Sequence, residues 1–398
     1  MSLLNPTIKG YLANSSMIRR MFEAGIELKK QYGADKVYDF SLGNPDLPPP
    51  AEVKSALEKI TATAGDEFAI GYMPNAGYPA LREALAERIS MEQGVKINGA
   101  SVLVTCGAAG GLNVLLRSIL TPGSEVVAPS PYFVEYDFYV ANAGGKLVTA
   151  PSRDFTFELD IEAFEKAITA NTKAIILNSP NNPTGRIYTR EELTALASVI
   201  SAAEKKYNTT ITVISDEPYR FLNFENAEIP GFFGIFPNSV IIGSFSKNLS
   251  LAGERLGYIA IAPTIAEHDD LMAALILCNR ILGFVNAPAI GQKILLECLN
   301  SQVDLDVYRR RRQAMAEALD GANLKYFMPH GAFYFFLPSP VEDERVFVDA
   351  LLKERILAVP GRGFGRAGYV RLAFCVDEKI IRNSAPGFAA AVASLKNN

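Results

Sequence analysis

The chain is predicted to be an α/β protein: a large domain with a mostly parallel seven-stranded sheet flanked by helices, plus a smaller α+β domain built from the N- and C-terminal segments. Three observations carry this. Short apolar runs recur seven times between residues 100 and 262, most are separated by stretches of helical periodicity, and the last eighty residues mix strands with helices. Alternating strand and helix patterns imply a mostly parallel sheet covered by helices.

Taken in order, residues 18–30 read as a helix, and Gly43-Asn44-Pro45-Asp46 with Pro48-Pro49-Pro50 reads as a turn-rich passage. The strand runs fall at 102–104, 126–128, 146–148, 174–177, 211–214, 240–242 and 258–261, with helical patterns such as 112–120 and 191–207 between them. From 288 to about 319 the pattern is one long helix or two consecutive ones. Strands at 332–337 and 369–373 then accompany a helix at 346–354. The expected organisation is an N-terminal segment over 1–45 that packs with the small domain, a large domain over 46–285, and a linking helix with the small domain over 286–398.

A chain of 398 residues can bury a sizeable core. The net charge of −4 with interspersed signs, and the lack of a long basic stripe, argue against nucleic acid as a partner. The cluster Arg309-Arg310-Arg311-Arg312 reads as a solvated or interface helix face. Four scattered cysteines and two histidines show no metal spacing, and reduced thiols suit a cytoplasmic protein. The first residues lack a charged region followed by an apolar core, so no signal peptide is expected. No apolar run is long enough to cross a membrane.

In open α/β sheets ligands bind beyond the carboxyl ends of the strands, so the residues just past each apolar run are the candidates. Ser244-Phe245-Ser246-Lys247 follows the run at 240–242, with Arg255 and Gly257 downstream. A lysine at the end of a buried strand is unusual. Hydroxyls before it and a guanidinium after it suit a phosphate, which suggests a Schiff base with pyridoxal phosphate; the alternative is a solvated loop lysine. Gly107-Ala108-Ala109 opens a helix whose free N–H groups can hold a phosphate, or it is only a tight turn. Tyr132 can offer a ring for stacking, and Asn182, in a proline-rich polar turn, an amide donor. Asp216 ends a buried strand, where it either faces a protonated pyridine nitrogen or serves as a helix cap or structural ion pair.

These residues converge on one end of one sheet. With Asn182-Pro183-Thr184-Gly185, Asp216-Glu217-Pro218-Tyr219, Ser244-Phe245-Ser246-Lys247 and Gly253-Glu254-Arg255-Leu256-Gly257, the chain resembles the fold-type I pyridoxal-phosphate enzymes of the class I/II aminotransferase family. The resemblance runs over nearly the whole length. It implies that Lys247 forms the internal aldimine and moves the proton, that Asp216 binds the pyridine nitrogen, and that Asn182 and Tyr219 contact the ring hydroxyl oxygen. Tyr132 would stack on the ring. Gly107, Ala108, Ala109, Ser244, Ser246 and Arg255 would hold the phosphate, joined by Tyr72 from the second subunit of a homodimer. Gly43 would let the backbone approach the substrate, and Arg371 would clamp its α-carboxylate unless it is a buried structural ion pair.

The activity implied is transfer of an amino group between an L-amino acid and a 2-oxo acid of the 2-oxoglutarate type, by a ping-pong mechanism. A C–S lyase or other elimination enzyme on the same scaffold is the alternative. Some bacterial aspartate aminotransferases carry a lysine at the position of Ala109, which helps read an acidic side chain. Its absence here directs attention to Arg362, first, and to Arg280, Arg19 and Arg20 as other cations able to do so. Arg362 could equally be a solvated loop residue.

Overall fold

The computed structural model describes residues 3–14 and 16–396, and for 13, 14, 16–20 and 22 the backbone only. Arg19 and Arg20 therefore have side chains outside the described residues. Helices α1 (Pro6–Asn14) and α2 (Ser16–Tyr32) lead into a short strand, β1 (Tyr38–Asp39), and then α3 (Ala51–Thr63) and α4 (Pro79–Gln93). The central region follows as β2 (Val102–Cys106), α5 (Gly107–Ile119), β3 (Glu125–Ser130), α6 (Glu135–Asn142), β4 (Lys146–Pro151), α7 (Ile161–Ala167) and β5 (Thr172–Asn178). It continues through α8 (Arg190–Tyr207), β6 (Thr212–Asp216), β7 (Ser239–Ser244) and β8 (Leu256–Ile261).

The seven expected runs form one sheet in the order β2-β8-β7-β6-β5-β3-β4. All pairs are parallel except those of β8, which runs antiparallel to both neighbours. Helices cover both faces, so β6, β7 and β8 are buried almost throughout and read as continuous apolar runs rather than alternating ones. Register sets the site: Asn178 lies opposite Asp216, and Ser244 opposite Gly257, so polar strand ends stand side by side.

The chain leaves the sheet through α9 (His268–Ile281), α10 (Ala289–Cys298) and α11 (Leu305–Gly321). The pattern at 288–319 is thus two helices. They are followed by β9 (Tyr334–Pro338), α12 (Glu344–Lys353), β10 (Ile356–Leu357), β11 (Val359–Pro360), β12 (Tyr369–Ala373) and α13 (Glu378–Leu395). Strands β11, β12 and β9 make a second, antiparallel sheet, and β10 pairs with β1.

Two large apolar cores result. One surrounds the seven-stranded sheet; the other gathers Met21 and Phe40 from the N-terminal segment with α11, β9, β12 and α13. Helix α10 packs against α3, and its Ile294, Leu295 and Cys298 belong to the first core, whereas Val303 belongs to the second. The apolar cores divide near residue 300, because the apolar face of α10 turns toward the sheet layer. Tyr219, Leu222 and Phe224, just past β6, reach into the second core and tie the two together. No described helix is long and apolar enough to cross a membrane.

Candidate active site

A cavity of about 400 Å³ opens where the carboxyl ends of β5, β6 and β7 meet the second core. Gly43, Ala108, Ala109, Asn182, Asp216 and Tyr219 line it, together with Ser244, Ser246, Lys247, Arg255 and Arg371. These come from seven separate stretches of chain, and the fold brings them into one wall.

Lys247 sits in the turn after β7, and its Nζ donates to the Gly43 carbonyl at 2.7 Å. Burial, helped by the nearby Arg255 and Arg371 guanidiniums, pulls its pKa down to about 8, so the neutral amine is accessible near physiological pH. Gly43 is there for a steric reason: a Cβ on it would fall 1.9 Å from Tyr334 Oη. Tyr334 in turn shares a hydrogen bond of 2.9 Å with Tyr219 through their hydroxyls.

Asp216 ends β6 fully inside the protein. Tyr136 donates its hydroxyl to Oδ2 at 2.5 Å, while the buried Oδ1 has no partner. Burial raises the Asp216 pKa to about 7, with the neighbouring Glu217 carboxylate adding to the rise and Tyr136 opposing it. Neither structural role entertained for Asp216 fits an oxygen left empty; a protonated ring nitrogen would satisfy it. Asn178 holds the strand end in place by donating to the Asp216 carbonyl at 2.8 Å and accepting from the Asn182 N–H at 2.6 Å.

Arg371 lies mid-strand in β12, opposite Phe336 and Val359. Its guanidinium is held between the rings of Tyr334 (4.7 Å) and Phe364 (4.6 Å). It donates to the Ser41 carbonyl at 2.6 Å and to Asn182 Oδ1 at 3.2 Å, leaving Nε unpartnered. Among the described residues it forms no ion pair, so the structural pairing that the sequence left open is not what accounts for it. A buried guanidinium without a counter-charge points to an anionic ligand.

At the far end, α5 begins against β8. A Cβ on Gly257 would fall 2.5 Å from the Gly107 carbonyl carbon and 2.7 Å from the Ala108 nitrogen, so only glycine lets the helix start this close. The Arg255 guanidinium packs against Gly107, and Nη1 donates to the Ala252 carbonyl at 3.0 Å. With Ser244 and Ser246 alongside, helix N–H groups, hydroxyls and a guanidinium form a phosphate cradle. The donor set thus fits pyridoxal phosphate at each end: an amine for its aldehyde, an empty carboxylate oxygen for its ring nitrogen, and this cradle for its phosphate.

Two of the expected site residues have their side chains directed away from the cavity. Tyr132 does not line the cavity; its N–H donates to the Phe364 carbonyl at 3.0 Å and its ring lies against Gly365, while Phe133, the next residue, faces the cavity. Arg362 is turned away as well. It donates through Nε to Glu344 Oε1 at 2.7 Å and through Nη2 to Asp343 at 3.1 Å, and Glu344 is buried, so the guanidinium is committed to neutralising it. Arg280, near the end of α9, is exposed and does not line the cavity. Tyr72 also stands apart, its side chain 93% exposed. Residues that the sequence reading missed are Phe133, Glu135, Tyr139, Tyr334 and Phe364 in the wall, and Tyr136 behind Asp216.

Comparison with known proteins agrees with this geometry. The family "Aminotransferase class I and II" matches residues 35–385. The aspartate/prephenate aminotransferase of Thermus thermophilus is 35% identical over 379 residues, covering 92% of each chain. An aminotransferase structure from Eubacterium rectale superposes with a TM-score of 0.94 at 33% identity over the full length of both. The Thermus thermophilus aspartate aminotransferase solved with maleate gives 0.85 at 30% identity, covering 98% of this chain and 100% of that one. The chain therefore belongs to the class I and II aminotransferases, and it is a pyridoxal-phosphate-dependent transaminase of fold type I.

Proposed function

We propose that this cavity is the transamination site, with Lys247 as the amine that engages the cofactor and moves the substrate proton. One observation carries the reading: an amine with a lowered pKa lies in one cavity with two buried groups of opposite charge, Asp216 and Arg371, that each keep an unpartnered atom. When bound, pyridoxal phosphate supplies a conjugated ring that accepts the electron pair left as the α-proton departs.

The chain's own residues do the rest. Arg371 orients the α-carboxylate through its fixed guanidinium, whose plane Tyr334 and Phe364 hold. Asp216 would hold the ring nitrogen in its protonated form, and Tyr136 holds the carboxylate in place. Asn182 and Tyr219 serve the ring hydroxyl oxygen. Lys247 Nζ, held by the Gly43 carbonyl, would take the proton from substrate Cα and be the group that returns it. Arg255, Ser244, Ser246 and the start of α5 anchor the phosphate, so the ring stays fixed while the proton moves. Phe133 takes the place expected for Tyr132 as the ring lying along the cavity.

A half-reaction screen tests this. Mixing the cofactor-loaded protein with single amino acids is expected to convert the cofactor stoichiometrically to its amine form, with release of the 2-oxo acid. Ammonia and pyruvate accumulating over many turnovers would instead establish the elimination chemistry of a lyase.

The working unit in this proposal is a homodimer, with Tyr72 reaching the phosphate of the second copy. Exposure of Phe68 (80%), Ile70 (51%) and Tyr72 (93%) on one short segment supports a covered surface there. Sedimentation of the loaded protein is expected to give twice the 43.2 kDa chain mass, and a monomer that turns over would remove Tyr72 from the site. A cytoplasmic location suits four cysteines that form no disulfide, and recovery in a membrane fraction would contradict it.

A further inference from the structure

Substrate side-chain preference is set by charges in the cavity that the cofactor and the α-carboxylate leave over. The lining cations are Lys247, Arg255 and Arg371, and the transamination reading assigns all three. Arg362, the cation expected to read an acidic side chain, is bound to Glu344 and Asp343. The lining acids are Asp216, which serves the ring nitrogen, and Glu135.

Glu135 opens α6 and faces the cavity half-buried. It accepts no hydrogen bond and forms no ion pair with another described residue. The same cavity also offers apolar and aromatic side chains, Leu112 and Ala109 from α5 with Phe133, Val134 and Tyr139. A carboxylate withdrawn from water without a partner is costly, and a ligand group that donates to it would offset the cost. A second carboxylate brought beside it would meet like charge in a poorly solvated space.

We propose that Glu135 reads the side chain of the amino donor, and that this transaminase favours amino acids whose side chain ends in an N–H donor, cationic or amide, on an apolar stem, over dicarboxylic ones. The apolar wall takes the stem, and the carboxylate takes the end. The inference rests on the transamination reading for the placement of the α-amino group. Discrimination comes from both an attractive and a repulsive element at one residue.

The loaded enzyme and Glu135→Gln, which keeps the shape and removes the charge, are compared in two measurements. Single-turnover efficiency with lysine is expected to exceed that with aspartate by about a hundredfold in the native protein, about tenfold for each charge interaction at Glu135, and the lysine-to-aspartate ratio to fall toward about one in the variant. In a second, non-reactive measurement, maleate is titrated into both proteins and followed by the cofactor's absorbance. It is expected to bind about tenfold more tightly to Glu135→Gln. A ratio and a maleate affinity that both stay within about twofold would overturn the role of Glu135. Failure of every amino acid to react would instead refute transamination, while the maleate titration still judges Glu135. Equal melting temperatures for the two loaded proteins exclude a folding defect as the cause.

Discussion

Lys247→Ala is expected to eliminate turnover with every amino acid, by a factor on the order of 10⁴ or more, because it removes the amine proposed to engage the cofactor and move the substrate proton. Lys247→Arg keeps the charge and should be equally inactive, which separates proton transfer from simple electrostatics. Borohydride reduction of the loaded protein should attach the cofactor to residue 247 in the native chain and nowhere in the variant. Activity above about one per cent in Lys247→Ala would refute the assignment.

The same lysine gives a stability signature with opposite sign. Its folded-state pKa, about 8, is below the ordinary 10.5, and burial is the main cause. Below pH 8 both folded and unfolded chains hold the proton, so the cofactor-free protein bears the whole cost of a buried ammonium. Between about 8 and 10.5 the folded chain has released it first, and stability rises with pH. Lys247→Ala should therefore be more stable than the native cofactor-free protein at pH 7, by on the order of 3 kcal/mol before its lost packing is counted, with the gap closing toward pH 10.5.

Much of this site could be read from sequence because its parts are local. Lys247, Asp216 and Asn182 each follow an apolar run, and a parallel sheet places all such ends on one side. Direction was harder. Tyr132 and Phe133 are adjacent, and only the backbone path after Pro131 decides which ring enters the cavity. Partners distant in sequence left no local trace. Tyr136 reaches Asp216 across eighty residues, and Arg362 finds Glu344 at the start of α12. Glu135 was overlooked for a different reason: an acid in the first turn of a helix is ordinary, since it complements the helix dipole, and nothing in the sequence says that this one faces a cavity. The division near residue 300 depends on which side the apolar face of α10 turns, and periodicity alone gives the face without its destination.

Asp216→Asn is expected to weaken cofactor binding by about 10² to 10⁴-fold, the range for removing one partner of a buried ion pair. Asparagine preserves an acceptor for Tyr136, so the loss would report the charge facing the ring nitrogen and not the packing around it. A cofactor held by its phosphate but with a neutral nitrogen is a poorer electron sink, so turnover at saturating cofactor should also fall. Without cofactor the effect reverses. The Asp216 pKa is raised from 3.8 to about 7, mainly by burial, so its contribution to stability is fully present below pH 3.8 and is lost as pH rises through 7. Asparagine has no such titration. Relative to the native cofactor-free protein, the variant should gain stability between pH 4 and 7 by on the order of 4 kcal/mol, and hold that gain above pH 7. Denaturant unfolding of both proteins across that range tests it, and a difference that stays flat with pH would mean that Asp216 is not the uncompensated carboxylate its empty oxygen implies. Opposite signs with and without cofactor are what a residue shaped by its ligand, at the expense of the empty fold, should give.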